Sequence, residues 1–93
     1  MFFVYILYSP SLDRHYIGQT GDAKERFHLH LDQSTDFTAQ ADDWLLVFLE
    51  PMSSRKEAVR LERRIKQSKS RLSVARYIQD ARNTIINPIP LSA

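Results

Sequence analysis

The 93-residue chain contains no cysteine. Neither a disulfide framework nor a thiolate metal site can hold it together, and a reducing, cytoplasmic setting is expected. It has two glycines, so there is no glycine-rich loop to cradle a phosphate. It has no apolar run of the length needed to cross a bilayer, so no membrane association is expected. The apolar start, "MFFVYILY", lacks a basic n-region and a small-residue cleavage site, and reads as a strand rather than a signal peptide. Internal repeats, low-complexity segments, a His/Asp/Glu cluster at zinc spacing and a nucleophile elbow are also missing.

What remains is a chain for one small domain, 43% apolar, with a net charge of +2 that is unevenly spread. Residues 1–54 carry three basic and eight acidic side chains, a net of −5. Residues 55–82 carry ten basic and three acidic ones, a net of +7. A basic segment of this kind suits a polyanion. Its bland alternative is a solvated, salt-bridged helix face.

Patterning divides the chain into elements. "FFVYILY" (2–8) is apolar at both parities, which predicts a strand buried on both faces. "SPSLDR" is turn chemistry, and "HYIGQ" (15–19) is a second strand, antiparallel to the first. Gly18 marks a bulge or a close approach by other atoms. "DAKERFHLHLD" predicts a helix with Asp22 and Glu25 as capping box and Ala23, Phe27 and Leu31 as its buried stripe. "WLLVFLE" (44–50) is a third strand ended by Pro51. "SSRKEAVRLERRIKQSK" is the clearest helix, with a capping box at Ser54 and Glu57 and a stripe of Ala58, Leu61, Ile65 and Leu72. A further helix follows with Leu72, Ala75 and Ile78 inward. The expectation is an α+β domain over 1–83, a three-stranded antiparallel sheet flanked by helices in the order β-β-α-β-α-α. Residues 84–93, "TIINPIPLSA", are expected to form a loose tail.

Several polar residues lie beside this core. Tyr5 and Tyr16 stand on adjacent strands. Arg26 and His30, four apart, share one helix face. Glu62 borders the stripe of the long helix. Phosphodiester hydrolysis needs these types: a carboxylate for a hard cation, a fork of donors for phosphoryl oxygens, and a group to take a proton from water. Each also has a structural explanation. The tyrosines suit half-buried strand positions, Arg26 and His30 a solvent-facing pair, and Glu62 an i,i+4 ion pair with Lys66. His15 and His28 show no partner pattern and are placed at the surface.

In their order and spacing, "FVYIL", "YIGQT", Arg26 and His30 in "ERFHLH", and Glu62 in "EAVRLERRIK" resemble the GIY-YIG nuclease superfamily, in particular its small single-domain bacterial branch. The resemblance covers residues 2 to about 80. It implies a three-stranded antiparallel sheet flanked by helices and metal-dependent cleavage of DNA. By that resemblance Tyr5 and Tyr16 are the two family tyrosines, one of them the general base, and Gly18 is the closing glycine. Arg26 and His30 complete the catalytic set, and Glu62 holds Mg²⁺ or Mn²⁺. Phe3 and Val4 replace the glycine and isoleucine of the first tripeptide. The implied setting is DNA repair or recombination, with Arg60, Arg63, Lys66, Lys69 and Arg71 contacting phosphates. No recognition domain is linked, so target choice falls to DNA structure or a protein partner. The alternatives are a DNA-binding module of the same fold without activity, and an interaction domain that self-associates through its opposite charges.

Overall fold

In a computed structural model the described residues are 2–21, 41–68 and 70–91. The strands are β1 (Phe2–Ser9), β2 (Arg14–Thr20), β3 (Leu45–Met52) and β4 (Ile89–Pro90). The helices are α1 (Arg55–Ser68) and α2 (Arg71–Ile78). The expected helix over 22–32 lies outside the described residues.

β1 is central because its residues are apolar at both parities. Val4 and Ile6 join a cluster with Val47, Phe48, Ala58, Ile65 and Val74, so α1 and α2 cover that face of the sheet. Tyr5 and Leu7 alternate to the other face and meet Trp44 and Leu46, with Tyr16 packed alongside. β1 pairs antiparallel with β2 on one side and β3 on the other. Between Ile6 and Leu7 the β1–β3 register shifts by one, which leaves Val47 as the extra residue of a bulge and puts both Val47 and Phe48 on the helix side.

The hairpin between β1 and β2 turns at Pro10–Asp13, where the Asp13 N–H donates to the Pro10 carbonyl at 3.3 Å. Asp13 has φ 51°, a left-handed conformation that aspartate tolerates better than most residues. Asp43 ties the turn down. It accepts from Ser9 Oγ at 2.6 Å, from Ser11 Oγ at 3.0 Å and from the Ser11 N–H at 2.8 Å.

The sheet has four strands, in the order β2-β1-β3-β4, not the expected three. The fourth comes from the segment read as a loose tail. The Leu91 N–H donates to the Trp44 carbonyl at 2.9 Å, and the Thr84 N–H and hydroxyl both reach the Leu49 carbonyl. Asn83 fastens this return. Its Oδ1 accepts from the Leu49 and Ile85 N–H groups, and its Nδ2 donates to the Val47 and Ile78 carbonyls, at 2.8–3.1 Å. One side chain thereby joins β3, the end of α2 and the tail.

Three further expectations are corrected. Pro51 lies within β3, opposite Phe3, rather than ending it. β4 pairs only with Leu45 and Leu46, so no described strand lies outside Pro51, and a proline costs no ladder bond at an edge. At the start of α1 the Glu57 N–H donates to Ser54 Oγ as a cap should, but the Glu57 carboxylate accepts from Ser53 Oγ at 2.6 Å. Leu72 is 64% exposed rather than inward. A new N-cap at Ser70 restarts the helix there, and the phase of α2 is set by Val74, Tyr77 and Ile78.

Candidate active site

β1 and β2 place Tyr5 directly opposite Gly18, with Tyr16 one diagonal step away. The two phenol rings are 6.3 Å apart between centroids and inclined by 30°. Tyr5 is fully buried, whereas Tyr16 is half-buried. Gly18 is the reason Tyr5 fits. A Cβ at that position would lie 2.6 Å from the Tyr5 hydroxyl oxygen and 2.7 Å from its ring carbon. The glycine makes room for a phenol, with no register shift between β1 and β2 and no positive φ. Of the two expectations for Gly18, the close approach is correct and the bulge is not.

Glu62 sits on α1, between the buried Ala58 and Ile65, with its side chain 17% exposed. Lys66 Nζ lies 2.7 Å from Glu62 Oε2, the ion pair that the i,i+4 spacing allowed. α1 packs through Ala58 and Ile65 on the face of β1 opposite the one that carries Tyr5. Arg26 and His30 lie outside the described residues, as does Lys69.

No group of three metal-ligating side chains occurs among the described residues. Glu62, the carboxylate expected to hold a cation, already holds one cationic group. A single carboxylate fits a hard cation that keeps most of its water and takes further oxygens from substrate phosphate. Gln19 belongs to the same side of β2 as Ile17, the side α1 covers, and its buried Oε1 has no hydrogen-bond partner among the described residues.

Of the expected phosphate contacts, Lys66 is engaged by Glu62 and Arg71 by Asp13, Nη1 to Oδ2 at 2.6 Å. Arg60 and Arg63 are exposed and make no described ion pair. Beside them on α1 stand Arg55, Lys56 and Arg64, which sequence reasoning did not select. The four-residue spacing of Lys56, Arg60 and Arg64 was the available signal.

A polar chain that the sequence did not reveal joins the hairpin to α2. Tyr8 Oη donates to Asp13 Oδ1 at 2.7 Å, and Asp13 holds Arg71. The hydrogen bond to Asp13 raises the Tyr8 phenol above its usual range, and the same bond, with Arg71, lowers the Asp13 carboxyl. His15 is half-buried and rests on Tyr8, ring centroids 4.8 Å apart, rather than lying free at the surface. Burial, with Arg71 assisting, lowers its imidazole below the ordinary value. These groups rim a cavity of about 690 Å³ floored by Val47, Ala75 and Ile78. It opens on the helix side of the sheet, away from the tyrosine pair.

A family model described as the GIY-YIG catalytic domain matches residues 1–77. That span contains both tyrosines, Gly18 and Glu62. No curated protein and no solved structure matches the chain.

Proposed function

This chain belongs to the GIY-YIG superfamily, whose domains have a nuclease fold and are generally divalent-metal-dependent endonucleases, and on that premise we propose that it hydrolyses DNA phosphodiester bonds. The observation that carries this reading is the Tyr5–Tyr16 pair, seated over Gly18 on adjacent strands of the matched domain.

Hydrolysis forms a bond from a water oxygen to phosphorus and breaks a bond from phosphorus to a sugar oxygen. The water must lose a proton, and the leaving oxygen must gain one. Tyr16 is the phenol that water reaches, since Tyr5 is fully buried. Tyr16 is the general base that takes the proton from the attacking water. Tyr5 packs beside it and fixes the position of the ring. Arg26 offers forked donors to the phosphoryl oxygens, and His30, four residues on, serves the proton of the leaving oxygen. Glu62 would hold Mg²⁺ or Mn²⁺, which supplies charge stabilisation at the phosphate. DNA repair or recombination is the setting proposed, in the cytoplasm, with target choice left to branched or damaged DNA structure or to a protein partner.

The test is cleavage of supercoiled plasmid and of a labelled branched DNA with Mg²⁺ or Mn²⁺, with chelator, and with Glu62→Gln. Cleavage that requires metal and is lost in the variant is the expected result. Equal cleavage by the folded variant removes Glu62 from the reaction.

One observation favours a second reading. The Glu62 carboxylate is already held by Lys66, 2.7 Å away. A DNA-binding module without activity would bind duplex in a salt-dependent way and cut nothing under any of these conditions.

A further inference from the structure

We infer that the outward face of α1 is a track for the phosphate backbone of duplex DNA, made by Arg55, Lys56, Arg60, Arg63 and Arg64. The inference rests on the nucleic-acid reading above but not on catalysis. It differs from the sequence expectation by removing Lys66 and Arg71 and by adding Arg55, Lys56 and Arg64.

The first argument is which cations are neutralised. Among the described residues Lys66, Arg71 and Arg82 are in ion pairs, with Glu62, Asp13 and Asp80. Arg14, Arg76 and the other five cations of α1 are not. The unpaired charge is therefore concentrated on one helix.

The second argument is geometry. Residues four apart stack on one side of a helix. Lys56, Arg60 and Arg64 form one such row, and Arg55, Val59, Arg63 and Gln67 form the adjacent one. All seven line a single shallow groove of about 670 Å³. Ala58, Leu61 and Ile65 anchor the opposite side of α1 in the core, so the rows are held facing solvent. The guanidinium of Arg55 is fixed further by the Phe2 ring, 5.2 Å from its centroid.

Scale and sign also fit. From Lys56 to Arg64 the helix advances about 12 Å, while duplex DNA carries a phosphate on each strand about every 3.4 Å of axis. The rows thus span three or four phosphates. Glu50 and Glu57 line the cleft on one flank with Arg60, Arg64 and Arg82. Glu57 accepts a hydrogen bond from Ser53 Oγ, and these two carboxylates stand against the five cations of the rows.

The experiment is fluorescence anisotropy with a labelled 20-base-pair duplex, without metal, across a series of salt concentrations. Three proteins are compared: wild type, the double variant Lys56→Gln/Arg64→Gln, and the charge-matched Arg14→Gln/Arg76→Gln. All four side chains are exposed, and circular dichroism checks that each protein is folded. Two lost phosphate contacts should flatten the slope of log K against log salt by about 1.8 and weaken binding at 0.1 M salt by roughly 10- to 100-fold. The control pair should stay near wild type. Equal losses in both doubles, unchanged binding in the α1 double, or no duplex binding by wild type each overturn the track. The cleavage assay above reports on the nuclease reading by itself. A chain that binds through α1 yet cuts nothing leaves the track standing.

Discussion

Tyr5 and Gly18 face each other across β1 and β2 so closely that a methyl group on Gly18 would stand 2.6 Å from the phenol oxygen. The glycine is therefore a requirement of the tyrosine. A fully buried ring cannot move aside without disturbing Leu7, Trp44 and Leu46, which pack on the same face. Gly18→Ala should destabilise the fold by about 1–3 kcal/mol, the usual cost of overpacking. Urea denaturation checks this, and a variant as stable as wild type would mean that Tyr5 has somewhere else to go.

The unequal exposure of the two phenols predicts unequal catalytic losses. Tyr16→Phe should lower the cleavage rate by roughly 10²- to 10⁴-fold, the range for loss of a general base, with duplex binding unchanged. Tyr5→Phe should keep more activity than Tyr16→Phe. Single-turnover cleavage of the two variants at matched saturation compares them directly, and the reverse order would reassign the base.

His15 gives the fold a pH dependence of known sign. Its folded pKa lies below the ordinary 6.5, chiefly through burial and then through Arg71. The native state binds the proton less well than the unfolded chain does. The contribution of His15 is thus fully present above about pH 6.5 and is lost as pH falls through that value towards the lower, folded pKa. Asp13, which raises the imidazole, is held below its ordinary carboxyl value and so stays charged across that window. Thermal melts should show Tm dropping on acidification from pH 7, with a smaller drop in His15→Gln. Identical pH profiles would remove His15 as the source.

Asn83 predicts a local rather than a global effect. Its carboxamide makes four hydrogen bonds, to β3, to the last turn of α2 and to Ile85. Replacing it by alanine strands several of these groups, at roughly 1–3 kcal/mol for each one left buried and unsatisfied. Hydrogen exchange should show the Leu91 amide, bonded to Trp44, opening well before the amides shared by β1 and β2. Uniform loss of protection across the sheet would mean that the clamp belongs to the global core instead.

Strong local patterns were legible in the sequence. The doubled apolar parity of "FVYILY" identified a two-faced strand, and the stripe of Ala58, Leu61 and Ile65 identified α1. The tyrosines and their order along the chain identified the family that the domain match supports. Leu72 was misread because a helix period was carried across a break, and the cap at Ser70 resets the phase. β4 was missed because a two-residue strand has no alternation to detect, and asparagine and proline there read only as turn formers. The Ser53–Glu57 bond and the Tyr8–Asp13–Arg71 chain left no pattern in the sequence, since a neighbouring hydroxyl or a distant guanidinium competes for a carboxylate only once both are in place.

By itself, then, the sequence determined the elements whose energetics are local or periodic: which segments bury apolar surface, and that Ser54 caps α1. The tertiary structure decided how those side chains are distributed. It put Tyr5 in the core and Tyr16 at its edge, paired Glu62 with Lys66, and left five unpaired cations along one face of α1. Burial and ion pairing depend on groups brought together from distant parts of the chain. That is why the charge of residues 55–82 could be counted from the sequence, while the part of it free to meet a polyanion could be read only from the fold.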